Sequence, residues 1–441
     1  MADRARRGAD AAAEARRLRA RLVDHLRAGG MVRTDAVAAA FSEVPRELFV
    51  AGVLAEHGLE AVYRDEPHVI KQNLEGRPLS SSSQPGIMAQ MLDRLDVRPG
   101  HDVLEIGAGS GYNAALMSRL VGSSGRITSV DIDPQIAGDA RRALEAGGFA
   151  ARVVVGDGRR GWPDDAPFDR IIVTASVDEV PLAWLEQLVE GGLLEFPLRL
   201  DPASTALQVI PVLRRTGTAL RTVAMTWGGF MPVHDGGGGW ESLPPALSAG
   251  RFAGGGRAPS GPRGGPGVGE TRRSLVQIDG SGLARVSDAR ARTLLAEALR
   301  DAGRPVVTGS TELGTSRPPL VIIYVLLGIP ERRRVWVTTR ERVGVGILDG
   351  RGRGLALVSV PNPWLAARRR DGVPRERAGR TVRWRLDAYG AHGPALDELR
   401  GLLSDWDGLR REGRTDLEIT ARPAGERLTL RFRWRRAGAA V

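Results

Sequence analysis

Val103-Leu104-Glu105-Ile106-Gly107-Ala108-Gly109-Ser110-Gly111-Tyr112 is the stretch on which the reading of this 441-residue chain turns. An apolar run meets three alternating glycines, and a helical pattern opens near Tyr112, so the segment reads as strand, tight turn and helix. Glycine at these positions lets the backbone adopt conformations that a Cβ disfavours and lets a ligand come close. Working outward, residues 125–130, 151–155 and 169–174 read as short apolar strands with helical patterns between them. Together with residues 102–106 they predict βαβ units and a doubly wound, Rossmann-like parallel sheet.

Acidic residues at the strand ends narrow the ligand. Asp131 closes the second strand twenty residues after Gly111, where an acid can accept both hydroxyls of a ribose. Asp133 precedes Pro134 and is expected to start the next helix instead. Asp157, in Gly156-Asp157-Gly158 at the end of the third strand, can accept from an adenine amino group. Glu105 suits a cationic ligand better than a pyrophosphate. The set Glu105, Gly107, Gly109, Gly111, Asp131, Asp157 and Gly158 therefore favours S-adenosyl-L-methionine over a dinucleotide.

Four segments carry a family resemblance: Val44-Pro45-Arg46-Glu47-Leu48-Phe49; Ser81-Ser82-Ser83-Gln84-Pro85; the glycine turn; and Pro167-Phe168-Asp169-Arg170-Ile171-Ile172-Val173-Thr174-Ala175. Over about residues 35–234 the chain resembles the protein-L-isoaspartate (D-aspartate) O-methyltransferases. The resemblance implies a class I methyltransferase fold with the cofactor at the carboxyl ends of the strands. It implies that Ser83, with Ser82 next to it, lies beside the methyl donor and the substrate carboxylate. Ser81 stands where the family usually has threonine and keeps the hydroxyl. Asp65 matches a family acid just before the substrate loop. Ser83, Ser81 and Asp65 are thus the candidate catalytic residues.

The chemistry asks little of such a site. A carboxylate is a competent nucleophile near neutral pH, so no strong base is needed. Aligning its oxygen with the methyl carbon and sulfur, and keeping water out, does most of the work.

Two departures stand out. The approach to the serines is Arg77-Pro78-Leu79-Ser80-Ser81, where the family typically has Gly-Gln-Thr, and the chain continues for about two hundred residues. In its Ser81-Ser82-Ser83-Gln84-Pro85 version of the motif, its Asp131-Ile132-Asp133 after the second strand and its C-terminal extension, the chain resembles a subgroup from ribosomal-peptide modification pathways. That resemblance implies methylation of an aspartate in a precursor peptide, with the ester cyclising to an aspartimide that persists or hydrolyses to isoaspartate. Isoaspartate repair is the alternative. A nucleic-acid methyltransferase ranks lower, because Thr174-Ala175-Ser176 replaces the Pro-Pro-aromatic motif of amino-group methylases and Asn362-Pro363-Trp364 lies elsewhere, reading as a turn. A catalytically dead peptide-binding adaptor is the remaining reading.

Composition bounds the rest. There is no cysteine, which excludes disulfides and thiolate chemistry, and the six histidines show no metal-ligand spacing, so no metal is expected. Net charge is +11, nearly all from arginine, with Lys71 the only lysine. Arg332-Arg333-Arg334 and Arg368-Arg369-Arg370 lack interleaved aromatics, so a nucleic-acid partner is not favoured. Leu18, Leu22 and Leu26 recur every four residues, as on an amphipathic helix. No apolar signal core occurs in residues 1–30, and residues 320–329 are too short to span a bilayer and read as a buried strand; a cytoplasmic protein with no membrane partner is expected. Residues 236–269 hold 13 Gly and 5 Pro. The expected division is a methyltransferase domain over 1–234, a Gly/Pro-rich linker over 235–270, and a smaller α+β domain over 271–441 for substrate recognition. Within the last, helices are expected at 288–302 and 393–405 and strands at 320–327, 334–339, 381–386 and 428–434.

Overall fold

The computed structural model describes residues 2–73, 76, 78–201, 204–227, 230, 275–278, 282–286, 307–313, 319–329, 333–338, 342–349, 354–361, 382–390, 392–413 and 416–436. The chain opens with helices α1 (Ala2–Ala28), α2 (Asp35–Glu43) and α3 (Ala51–Val62). Leu18, Leu22 and Leu26 of α1 are buried, as their spacing predicts. A two-stranded hairpin follows, β1 (His68–Gln72) with β2 (Pro78–Ser82), then α4 (Pro85–Leu95). Pro85 at the first turn of α4 forfeits only an amide that a helix start leaves unbonded.

The glycine-rich stretch folds as read. Strand β3 (Asp102–Ile106) leads through the turn into α5 (Tyr112–Val121), then β4 (Arg126–Asp131), α6 (Pro134–Gly147), β5 (Arg152–Val155) and β6 (Phe168–Val173). These four strands are parallel, in the order β5-β4-β3-β6. The chain runs outward from β3 to β5 and returns to β6 on the other side of β3, which creates a switch point where such sheets bind ligands. Asp133 accepts from the amides of Gln135 and Ile136 and so caps α6, as its position before Pro134 predicts.

Beyond β6 the sheet becomes mixed. After β7 (Val180–Pro181) and α7 (Leu182–Glu186), strand β8 (Leu188–Glu195) pairs parallel to β6. Then β9 (Leu198–Asp201), β10 (Ser204–Thr216) and β11 (Ala219–Trp227) pair antiparallel. A second sheet is wholly antiparallel: β12 (Leu275–Ile278), β13 (Gly282–Val286), β14 (Val307–Leu313), β15 (Arg334–Thr338), β16 (Arg342–Leu348), β17 (Gly354–Pro361) and β18 (Val382–Gly390), in the order 12-13-15-16-17-18-14. Helices α8 (Pro319–Gly328) and α9 (Gly393–Arg411) pack together and against it. The last hairpin, β19 (Asp416–Ala424) with β20 (Arg427–Arg435), returns to the first sheet: β19 pairs with β11, and β20 with β7.

Three findings depart from the sequence reading. Residues 319–328 form helix α8, not a strand. A short run that is apolar on every side suits either a fully buried strand or a fully buried helix, and periodicity cannot choose between them. Here Ile322, Ile323, Val325 and Leu326 are buried in one cluster while Tyr324 and Leu327 between them are half-buried, which is the i, i+1, i+3, i+4 spacing of one helix face and not the alternation of a strand. Helix α9 runs on to Arg411, beyond the expected 405. The β19–β20 hairpin, within the expected 271–441 unit, completes the sheet of the first. One apolar cluster joins the sheets, with the rings of Tyr324, Trp406 and Trp434 in tilted and edge-to-face contact at separations of 5.1–5.8 Å. The expected linker, the helix at 288–302, Asn362-Pro363-Trp364 and Arg368-Arg369-Arg370 lie outside the described residues. Of the cluster at 332–334, Arg333 pairs with Glu398 at 2.7 Å and Arg334 donates to the Ile329 carbonyl, so both are structural.

Candidate active site

Each glycine of the turn after β3 has a φ near or inside the left-handed region and a neighbour that explains it. Gly107 (φ 97°) presents the place of a Cβ 2.4 Å from the Thr174 hydroxyl, and Gly111 (φ 83°) lies against the backbone of Ala140 on α6. Gly109 (φ 52°) faces the hairpin: a Cβ there stands 3.4 Å from the Ser81 carbonyl. A Cβ on Gly158 would meet Ile106 at 2.3 Å. The glycines thus serve close packing of the site's own walls.

Asp131 stands at the tip of β4. One carboxylate oxygen accepts from the Gly109 amide at 3.1 Å, the other from the Asp133 amide at 3.1 Å. Its cross-strand neighbour Val155 is 47% exposed, an apolar surface beside an acid, which fits a nucleoside. Asp157 caps the short turn Gly158–Arg160 and pairs with Arg159 at 2.9 Å, and that partner holds its carboxyl below the usual range.

Glu105 is placed differently from the sequence expectation. It is 0% exposed, and its oxygens accept from Asn113 (2.8 Å) and Ser129 (2.5 Å). It therefore sits behind the turn, tying α5 to β4, and does not reach the site's surface. Burial pushes its carboxyl up to about 7. A raised carboxyl pKa favours the folded state at low pH, and that contribution is lost as pH climbs from about 4.5 through 7. Glu105→Gln should flatten the fall of Tm between pH 5 and 8 by several degrees, the shift being worth on the order of 3 kcal/mol. Fully buried Glu195, also raised, leaves a residual slope of the same sign. Thermal scans at several pH values giving parallel curves for variant and wild type would remove Glu105 from this role.

The serines come from the hairpin. Ser81 and Ser82 end β2, and Ser83 begins the turn into α4; Ser81 and Ser83 are half-buried, while the Ser82 hydroxyl is buried without a partner among the described residues. Asp65 accepts from the Gly86 amide (2.7 Å) and from Gln84 (2.9 Å), so both oxygens brace the Ser83–Gly86 turn. That makes it a positioning group, not one facing a substrate. The structure thus brings Ser81, Gly109 and Asp131 together and leaves Glu105 and Asp65 as supports.

Residues without an assigned role complete the frame. Arg46 is 0% exposed and donates to the carbonyls of Val62 (2.9 Å), Arg64 (3.0 Å), Glu66 (3.0 Å) and Ser83 (3.2 Å). Burial pulls its guanidinium down to about 10. It lay within a quoted motif, yet its partners are backbone atoms that no residue pattern marks. His68, buried at the start of β1, is held down to about 4 by desolvation and then by Arg46. Lys71 binds Asp133 at 2.5 Å and so fastens the hairpin to the strand tip beside Asp131.

Comparison with known proteins gives this geometry a family. The family model for protein-L-isoaspartate(D-aspartate) O-methyltransferase matches residues 17–237. The chain belongs to this family. It is similar to the protein-L-isoaspartate O-methyltransferase of Methanopyrus kandleri, 43% identical over 185 residues, which are 42% of this chain and 77% of that one. The Hyperthermus butylicus enzyme of the same name is 41% identical over 192 residues, covering 42% and 76%. A solved protein-L-isoaspartate O-methyltransferase structure aligns over 94% of this chain and 99% of its own, at 24% identity and a TM-score of 0.49. The protein is a protein carboxyl O-methyltransferase dependent on S-adenosylmethionine. Among the described residues, no helix is long and apolar enough to cross a membrane.

Proposed function

We propose that the chain methylates the free α-carboxylate of L-isoaspartyl residues in protein or peptide substrates. Relatives of that name support this reading over the dedicated-peptide reading that the sequence placed first. The observation that carries it is the closure of the hairpin on the glycine turn. The Ser81 carbonyl lies 3.4 Å from the place of a Gly109 Cβ, so serines and turn share one wall. The site residues suit the cofactor: an acid at a strand tip with an exposed valine beside it, and a cradle at Gly109 that a side chain would fill. In this reading Asp131 holds the ribose, Asp157 the adenine, and the backbone near Gly109 the remainder. When bound, the cofactor supplies an electrophilic methyl group.

The chain's own part is positional. The Ser83 and Ser81 hydroxyls donate to one carboxylate oxygen, leaving the other free to attack. The Lys71–Asp133 pair keeps the hairpin closed and water out. The resulting methyl ester then allows the following backbone nitrogen to attack its carbonyl. That nitrogen loses its proton, methanol leaves, and a succinimide remains.

Two substitutions should separate the halves of the site. Asp131→Asn should weaken cofactor binding about tenfold by calorimetry, because it removes a charge-assisted acceptor worth about 1.5–3 kcal/mol. Ser83→Ala should lower kcat by about tenfold or more with cofactor affinity nearly unchanged. Equal losses of kcat and cofactor affinity in the serine variant would reduce it to a cofactor contact.

A second reading, aspartate methylation in a dedicated precursor peptide, is favoured by the altered approach Arg77-Pro78-Leu79-Ser80 and the second sheet. Labelled cofactor with matched isoaspartyl and aspartyl peptides decides between them. Base-labile label on the isoaspartyl peptide is the expected result, and label confined to the aspartyl peptide would overturn it.

A further inference from the structure

The later strands of the first sheet carry a row of arginines on one face. Arg214 on β10 lies opposite Arg221 on β11, Arg221 opposite Thr420 on β19, and Thr420 opposite Arg431 on β20. Residues in register share a face, so the three arginines form a row across four adjacent strands, and all three are exposed. Their chain neighbours Leu213, Leu220, Ala421 and Leu430 point into or pack on the apolar cluster, which fixes the arginines on the outer side. Arg433, two residues beyond Arg431, extends the patch. Two acids of β19 share this face: Glu418, opposite Arg433, is held by Arg435 at 3.2 Å, and Asp416 stands opposite Arg435.

Like charges directly opposite on a sheet cost stability, and Arg214 and Arg221 face each other with no carboxylate paired to either among the described residues. An arrangement of this kind awaits an anion from outside. Phe432 and Trp434 alternate with the arginines of β20 and so lie on the opposite side, which leaves the row without the stacking surface that single-stranded nucleic acid uses. We propose that this row is a docking face for an acidic polypeptide segment of the protein substrate. The proposal rests on the reading of the chain as a methyltransferase acting on proteins. The row stands level with Val103, through the pairings Val103 with Arg170, Arg170 with Leu193, and Leu193 with Arg214. At about 3.3 Å per residue and 4.8 Å per strand, Arg214 is roughly 20 Å from Gly107, a span that about six extended residues bridge.

The test uses the full chain and two isoaspartyl peptides, one carrying a glutamate tract about seven residues from the isoaspartate and one with glutamines there. By fluorescence anisotropy the wild type should prefer the glutamate peptide about tenfold at low salt, with the preference fading as salt rises. The variant Arg214→Gln/Arg221→Gln/Arg431→Gln should bind both peptides alike. Its kcat on the glutamine peptide should be unchanged, and its Tm equal to or above wild type because the repulsion is gone. The charge-reversed variant Arg214→Glu/Arg221→Glu/Arg431→Glu should favour the glutamine peptide. Equal wild-type affinity for the two peptides overturns the proposal, as does a glutamate preference that survives in both variants. An RNA oligonucleotide whose binding both variants lose, with glutamate-peptide binding intact, would also overturn it and reassign the face. Failure of the wild type to methylate either peptide would count against the proposed activity alone, since the anisotropy still decides the docking face.

Discussion

Arg46→Leu is expected to destabilise the protein by about 4 kcal/mol or more and to abolish methyl transfer, because several buried carbonyls lose their donors together. The side chain is fully enclosed, and its two terminal nitrogens reach Val62, Arg64, Glu66 and Ser83. Leucine offers those carbonyls no donor, and each buried acceptor left unmade costs about 1–3 kcal/mol. The activity loss follows from geometry. The Ser83 carbonyl is held by this donor, and Asp65, from the loop between α3 and β1, braces the turn that Ser83 begins by accepting from Gln84 and the Gly86 amide; a displacement of about 1 Å in a positioning group costs about a hundredfold in rate. Arg46→Lys keeps the charge but replaces a planar fork with a single point donor, so it should recover part of the stability and little of the kcat. Thermal unfolding and initial rates on an isoaspartyl peptide check both. A leucine variant that melts and turns over like wild type would show that these carbonyls find other partners.

The contrast between Arg46 and the glycine turn shows what the sequence made legible. Strand, turn, helix and the cap at Asp133 follow from local rules, since each depends on residues within a few positions of one another. Asp131 was legible for the same reason, as a strand end at a set distance from the turn. Glu105 was read as facing the ligand because its type and place in the motif allow it. Only the three-dimensional positions of Asn113 and Ser129 reveal that its oxygens are already taken. The Lys71–Asp133 pair joins residues 62 apart, and nothing local announces it. Longest in reach is the final hairpin. Thr222 donates to the Ile419 carbonyl and accepts from the Ile419 amide, a contact between residues 197 apart that no spacing argument could anticipate.

That contact changes the expected result of cutting the chain near Gly236. The sequence suggests a cut there that leaves a self-sufficient cofactor-binding domain, since the βαβ core precedes it. The structure places β19 on the edge of β11 and returns β20 to β7, with Leu417, Ile419, Ala421 and Leu428 buried at 0–6% exposure in the cluster that also holds Leu213 and Leu220. Removing the hairpin strips these side chains from the core, each larger one worth about 1.5–3 kcal/mol of burial. It also bares β11 as an unpaired edge and uncovers the apolar residues beneath it, which is how sheets aggregate. A fragment ending near 236 is therefore expected to be insoluble or to melt well below the full chain. Fusing residues 416–436 to that fragment through a flexible linker should restore soluble protein and cofactor binding, because it returns the missing strands without the second sheet. Soluble yield and calorimetric cofactor affinity of the two fragments measure this. If the shorter fragment binds cofactor as well as the intact chain does, the hairpin is an accessory to the first sheet; rescue by the hairpin alone assigns the loss to sheet completion, with the Arg431 strand then contributing both structure and charge.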